Sequence, residues 1–268
     1  VNDLAFDDPC LLFALSRESA AFRREFQPQQ RFPGAPCRAR FCGPPWLTVL
    51  LVETGIGQTP AERALAWLLS KPEMGGVPYR PKVVLSAGFA GALDPALAIG
   101  DIVLATEIVD VDGQGWPATW PAAPLTGEWR PPLYRGRVVT SAELVDTVAK
   151  KANLAARHQA AAVDMESAVL ARLCARNHVP FGCVRAISDR ADRAVSPRLT
   201  ELLKNGRASW PRLLAACLRS PSFLRELRRL ARDTKKAAAQ LGKALGELLT
   251  LTLPWNEDAP DADGTSSP

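Results

Sequence analysis

VDMESAVLARLC (163–174) leads after four residues into VPFGCVRAISDRAD (179–192). The first stretch predicts a helix over 165–178, opened by Glu166 ahead of a run of Ala, Val and Leu. The second predicts a strand over 181–188 that is apolar except for Arg185 and ends at Asp189. A helix feeding a strand with no polar alternation places that strand in a sheet covered on both faces.

The same alternation extends outward. CLLFAL (10–15), WLTVLLVET (46–54), KVVLSAG (82–88), DIVLATEIVDV (101–111) and RVVTS (137–141) read as further strands. Segments 16–26, 60–70 and 143–157 read as helices between them. The expected fold is α/β: a three-layer α-β-α sandwich around a mixed, mostly parallel sheet. The Pro-, Gly- and Trp-rich stretch 112–133 reads as a surface insertion. From Pro197 onward the pattern is helical, with one candidate helix at 198–218 and a second opened by Pro221. In the second, Phe223, Leu227, Leu230, Thr234, Ala237, Leu241, Ala244 and Leu248 form one apolar stripe at steps of four and three. The end, 256–268, reads as a disordered tail.

The chain has 268 residues, ample for a full core, and a net charge of +5. That charge is local. Residues 198–253 hold 12 bases against 4 acids, and 254–268 hold four acids and no base. The rest is nearly neutral, which argues against a nucleic-acid-binding body. The basic helix fits either docking of its stripe on the body or on a second subunit, or a peripheral contact of 221–253 with an anionic membrane. No apolar run is long enough to span a bilayer, and the acids ahead of CLLFAL do not match a secretory signal. Six scattered cysteines lack a C-x-x-C pair, and His158 and His178 read as surface residues. The expectation is therefore no metal site and a reducing, cytoplasmic setting.

Four segments join strand ends to glycines and acids. In FALSRESAAFRREF (13–26), Glu18 follows a strand; the simpler reading is that it only complements a helix dipole. In ETGIGQTPAER (53–63), Gly55 and Gly57 permit positive φ and close approach of a ligand to backbone, though most such pairs are only tight turns. In LSAGFAGAL (85–93), Gly88 and Gly91 stand at a strand end, where open α/β sheets bind ligands; close helix–strand packing explains them equally well. The fourth segment is the opening one, where Glu166 and Asp189 frame a single short unit.

SAGFAGAL with IGDIV, VDMESA and VRAISDRAD, in that order and spacing, resembles the nucleoside phosphorylase superfamily over roughly residues 10–215. The pattern is most similar to the 5′-methylthioadenosine/S-adenosylhomocysteine nucleosidases, and more particularly to the adenosylhopane nucleosidases of hopanoid biosynthesis. The resemblance implies a catalytic domain at 1–215, a basic amphipathic extension at 216–253 and an acidic tail at 254–268. It implies hydrolysis of the N-ribosidic bond of a 5′-substituted adenosine by a homodimer that needs neither metal nor organic cofactor.

The resemblance also distributes roles. Asp189 matches the acid that protonates the purine, Glu166 the carboxylate on the ribose hydroxyls, and Glu18 the acid that activates water. Met165 matches a residue packed beside the sugar, and Ala87 and Gly88 the floor under base and ribose. Ser188 and Arg185, in the same motif as Asp189, join the substrate-binding set. Leu15, Ile56 and Leu199 fall where the family builds an apolar 5′ pocket. Asp164 stands where the nucleosidases usually carry Glu, implying a shortened ribose contact. The family's stacking aromatic is missing around Ser141–Val145, which leaves Phe89 as the candidate ring. A phosphorylase would need a cationic cradle, and SAGFAGAL and ETGIGQ contain no Arg or Lys; only Arg17 lies near. Phosphorolysis is the alternative, and a non-catalytic nucleoside-binding or membrane-surface module the second.

Overall fold

A computed structural model of the chain describes residues 8–44, 47–74, 76–121, 129, 131–195 and 221–252. The strands are β1 Cys10–Phe13, β2 Pro28–Arg31, β3 Arg38–Cys42, β4 Val49–Glu53, β5 Glu73–Met74, β6 Val77–Pro78, β7 Val84–Ala92, β8 Ile102–Asp110, β9 Gly115–Pro117, β10 Leu133–Thr140, β11 Ala160–Asp164 and β12 Phe181–Asp189. The helices are α1 Phe22–Glu25, α2 Gln58–Leu69, α3 Val148–His158, α4 Ser167–Arg176 and α5 Pro221–Thr252.

The main sheet runs β11-β10-β8-β12-β7-β1-β4-β3-β2, with β9 on β8. Its centre pairs in parallel, β4–β1–β7–β12 on one side and β8–β10–β11 on the other, and β12 and β8 join antiparallel. The sheet curls until β11 returns to pair with the end of β7, Val163 against Gly91. One face is covered by α2 and α4, whose Ala61, Leu65, Leu68, Leu170 and Cys174 share a core with Leu12, Val84 and Cys183. The other is covered by α1 and α5, where Phe22, Leu241, Leu245 and Leu248 pack with Leu11, Phe13, Leu85 and Val184. The three-layer sandwich and mixed sheet therefore match expectation.

Several local expectations change. The helix expected over 16–26 forms only at Phe22–Glu25. Ahead of it, Ser16 and Ser19 hydrogen-bond to Glu53 and Glu18 accepts from the Leu15 N–H, so side chains take the place of helical pairing. Gly88 and Gly91, expected at the end of a strand over 82–88, lie within β7, which runs on to Ala92 because β12 and β11 continue the ladder. Strand β9 forms in the insertion 112–133 and pairs with β8. His158 is buried, not on the surface, and its carbonyl accepts from Arg137; His178 is exposed.

Helix α5 spans 32 residues, about 48 Å at 1.5 Å per residue. Its stripe is buried from Ala237 to Leu248 and half-buried at Leu227, Leu230 and Thr234, so it docks on the body. Among the described residues no helix is long and apolar enough to cross a membrane. The candidate helix at 198–218, the tail, and the boundaries drawn at 215 and 253 lie outside the described residues.

Candidate active site

Glu18 sits in the loop that leaves β1, 5% exposed. Its Oε2 accepts from Leu15 N at 2.7 Å and its Oε1 from Phe89 N at 2.8 Å, which ties the loop to the middle of β7. Glycine at 88 makes this possible: a Cβ there would lie 2.9 Å from Glu18 Oε1. Burial pushes the Glu18 carboxyl above its ordinary value against the pull of those N–H groups and of Arg185. The loop is latched from below by Glu53 at the end of β4, which accepts from Ser16 at 2.6 Å and Ser19 at 2.7 Å. Burial opposes the ionised form of Glu53, but the two hydroxyls and Arg23 and Arg40 prevail and hold its carboxyl low.

Arg185, 3% exposed on β12, is the buried counter-charge. Its Nη2 and Nε donate to Asp164 Oδ2 at 2.6 and 2.9 Å, and Nη2 also donates to Ser86 and Ser167. Asp164 is fully engaged: Thr140 donates to its Oδ1 at 2.7 Å and Ser167 N to its Oδ2. Its short side chain is captured by Arg185 and Thr140 and turns into the interior.

Glu166 stands at the N-cap of α4, and its Oε1 accepts from Gly57 N at 2.7 Å. Gly55 and Gly57 have φ of 97° and 95°, so the turn after β4 needs glycine at both positions to bring that N–H to the carboxylate. Burial, followed by the nearby Asp164, pushes the Glu166 carboxyl up to about 7. Glu18, Glu166, Arg185, Ser86, Ala87 and Gly88 line one small cavity. It encloses about 10 Å³, close to the minimum for one water.

Asp189 closes β12 opposite Gly91 after a register shift at Ser188. Gly88 and Gly91 are three residues apart on β7, so their Cα atoms lie roughly 10 Å apart along the strand and their substituent positions face opposite sides of the sheet. Burial raises the Asp189 carboxyl, opposed by Lys151, Arg193 and Arg229. Ser188 is half-buried, its hydroxyl 3.5 Å from the Ala90 carbonyl. Met165 is half-buried between Asp164 and Glu166. Phe89 gives its N–H to Glu18, while its ring packs on the α5 side of the sheet. Leu15 is half-buried and Ile56 is 48% exposed, on adjacent loops joined by the Gly55 N–H to the Ala14 carbonyl. Leu199 lies outside the described residues.

Two residues at this site were not singled out in the sequence. Glu53 heads the ETGIG turn but carried no signal of its own beyond that place. Lys151 follows another lysine in a polar helix, and only its burial, 1%, reveals it.

The sequence and the fold have counterparts in known proteins. A 5′-methylthioadenosine/S-adenosylhomocysteine nucleosidase of Marinomonas is 31% identical over 178 residues, 58% of this chain and 74% of that protein. The nucleosidase of Neisseria meningitidis in complex with methylthio-immucillin-A superposes with a TM-score of 0.66 at 19% identity, over 92% of this chain and 100% of that one. A futalosine hydrolase mutant of Helicobacter pylori superposes with a TM-score of 0.63 at 17% identity, over 91% and 99%. The profile of the Phosphorylase superfamily matches residues 45–220, from the strand that carries Glu53 to beyond Asp189. On that match the chain is a member of the phosphorylase superfamily.

Proposed function

We propose that the protein is a purine nucleosidase that hydrolyses the N-ribosidic bond of a 5′-substituted adenosine and releases adenine. The observation that carries this reading is the one-water cavity lined by Glu18, Glu166 and Arg185. In this reading the sugar carbon lies at that cavity and the purine toward Asp189, at the end of the neighbouring strand β12.

In this reading Asp189 arrives protonated and gives its proton to the purine N7 as the C1′–N9 bond breaks; the bonding pair leaves with the base. Glu166 holds the ribose hydroxyls, and the carboxylates stabilise the cationic sugar carbon. Glu18 takes a proton from water as its oxygen joins C1′. One proton is delivered and one is taken up, so nucleoside and water become adenine and a 5-substituted ribose. A carboxyl raised by burial suits Glu18 as a base at neutral pH.

Hydrolysis is favoured over phosphorolysis because, among the described residues, the only cation lining the cavity is Arg185, committed to Asp164, Ser86 and Ser167. Arg17 is exposed and does not line it. The curated relative above is named for methylthioadenosine and S-adenosylhomocysteine, and Leu15 and Ile56 are apolar where a 5′ substituent would lie. The test is adenine release from methylthioadenosine, S-adenosylhomocysteine, adenosine and an adenosylhopane-type nucleoside, with and without phosphate. Turnover of a 5′-substituted substrate without phosphate is expected; a rate proportional to phosphate with a ribose-1-phosphate product would overturn the reading.

Two further points belong to this proposal. A homodimer would cover Ile56, and sedimentation velocity tests it. Exposed Arg225, Arg228, Arg232, Lys235 and Lys236 favour a peripheral, electrostatic contact of α5 with an anionic membrane at the cytoplasmic face. That contact uses charge alone, because the buried part of the stripe belongs to the core.

A further inference from the structure

Lys151 is the fourth residue of α3, and its side chain is 1% exposed. Its neighbour Lys150 points to solvent and pairs with Asp146. The Lys151 ammonium donates to Asp189 Oδ2, to the Arg190 carbonyl at 2.6 Å and to the Arg193 carbonyl at 2.9 Å. An ammonium has three donors, and here each has an acceptor. Burying such a charge is costly unless it is paired and hydrogen-bonded, and this one is both.

Two backbone carbonyls need no charge to hold them; a neutral amide would do. The charge acts on Asp189. That side chain is 26% exposed, and Oδ2 faces the lysine. Among the described residues its Oδ1 receives no hydrogen bond, which leaves that oxygen for a proton and a substrate. Arg193 from the segment after β12 and Arg229 from α5 also bear on Asp189. Both are less buried than Lys151, Arg193 at 38% side-chain exposure. Gly91, next to the same carboxyl on β7, brings no charge.

We propose that Lys151 is a positioning residue for Asp189: its ammonium fixes Oδ2, leaves Oδ1 to the substrate, and stabilises the carboxylate left when the proton has passed to the purine. This rests on the reading of Asp189 as the purine-protonating acid. The O–H bond of Asp189 breaks and the N7–H bond forms, and the negative charge left on Asp189 falls beside the fixed positive charge. The same ammonium counters the effect of burial, keeping the acid strong enough to release its proton near neutral pH.

The test is the pH profile of kcat/KM for methylthioadenosine in the full chain and in Lys151→Met, Lys151→Arg and Asp189→Asn. Removing the ammonium raises the Asp189 pKa, so the alkaline limb of Lys151→Met moves up by about one unit or more. Its kcat falls about 100-fold, the scale of general-acid catalysis, with KM changed less than about 3-fold. Lys151→Arg keeps the charge and its limb stays within about half a unit of the parent. A 4-nitrophenyl 5-methylthioriboside leaves without needing a proton, so Lys151→Met loses less than about 5-fold on it.

A misplaced loop alone would slow both substrates equally and leave the limb where it was; that result overturns the proposal. If Lys151→Met fails to fold, Lys151→Arg decides, because a limb displaced by more than a unit with the charge retained also overturns it. Asp189→Asn separates the two readings. If it is inactive on methylthioadenosine while the limb of Lys151→Met is unmoved, only the role of Lys151 falls. If it keeps most of the activity, the assignment of the acid falls with it.

Discussion

A methyl group at position 88 has nowhere to go. It would sit 2.9 Å from Glu18 Oε1 and 3.2 Å from its Cδ, with Arg185 Nη1 at 3.5 Å behind. The carboxylate must move, and the hydrogen bond from Phe89 N moves with it. Gly88→Ala is therefore expected to lower kcat by about 100-fold, the cost of misplacing a base by an ångström, with a change in Tm of only a few degrees. Steady-state kinetics and thermal denaturation of the same sample check both halves. Glu166 makes a second prediction. With its carboxyl pushed up to about 7, the ionised form that would hold the ribose appears only as pH rises through that value, so kcat/KM gains an acid limb there. Stability runs the other way. The folded state binds the Glu166 proton more tightly than the unfolded chain, so the stabilisation is complete below the ordinary carboxylate range and is lost as pH rises through about 7. Glu18 contributes in the same direction. Tm should fall between pH 5.5 and 7.5, and Glu166→Gln should shrink that fall and abolish the acid limb; an unchanged profile in the variant would refute the assignment.

Gly242 decides a contest between helix propensity and packing. In a free helix Gly→Ala gains about 1 kcal/mol. Here an added Cβ would meet Ala21 Cβ at 2.7 Å and Phe22 N at 2.8 Å, where α1 crosses α5. Backbone cannot swing aside as a flexible side chain can, and overpacking costs about 1–3 kcal/mol. Packing wins, so Gly242→Ala is expected to lower Tm, as calorimetry would show. The contest also shows what the sequence makes legible at this scale. The apolar stripe of α5 and the buried strands β1, β4, β8 and β12 announce themselves, because burial on a face or throughout imposes a period. β2 (PQQR) is exposed along its whole length and carries no such pattern. β11 (AAAVD) is too alanine-rich to stand out from the helices around it, yet it closes the sheet against β7. At the site, the acids stood out through the order of the motifs that carry the resemblance; taken singly, Glu18 read as no more than a partner of a helix dipole. The clamps on them, Glu53 and Lys151, did not stand out: their roles depend on which loop folds over which strand, and no local spacing encodes that.

The charge asymmetry of the chain takes its meaning from the docking of α5. α5 holds 7 bases against 3 acids and is also one of the three layers, so charge and packing lie on opposite faces of one helix. Leu241, Leu245, Leu248 and Leu249 are all at 0% exposure. Each is worth about 1.5–3 kcal/mol when fully buried, so the four together match the whole stability of an ordinary domain, about 5–15 kcal/mol. Cutting the chain after residue 220 would expose Leu11, Phe13, Leu51 and Leu85 on the bare sheet face. The truncated chain is expected to aggregate or to lack a cooperative unfolding transition, and a membrane assay on it would report only lost folding. Charge substitution is the sound route. Replacing Arg225, Arg228, Arg232, Lys235 and Lys236 with Gln touches only exposed side chains, so Tm and adenine release from a water-soluble substrate should stay near those of the parent. If α5 contacts an anionic surface, the parent chain will co-sediment with vesicles containing phosphatidylserine, lose that binding at high salt, and lose it in the substituted chain. Equal co-sedimentation of the two chains, or none for the parent at low salt, would leave the basic face as a solvated surface and remove the membrane from the account of this protein.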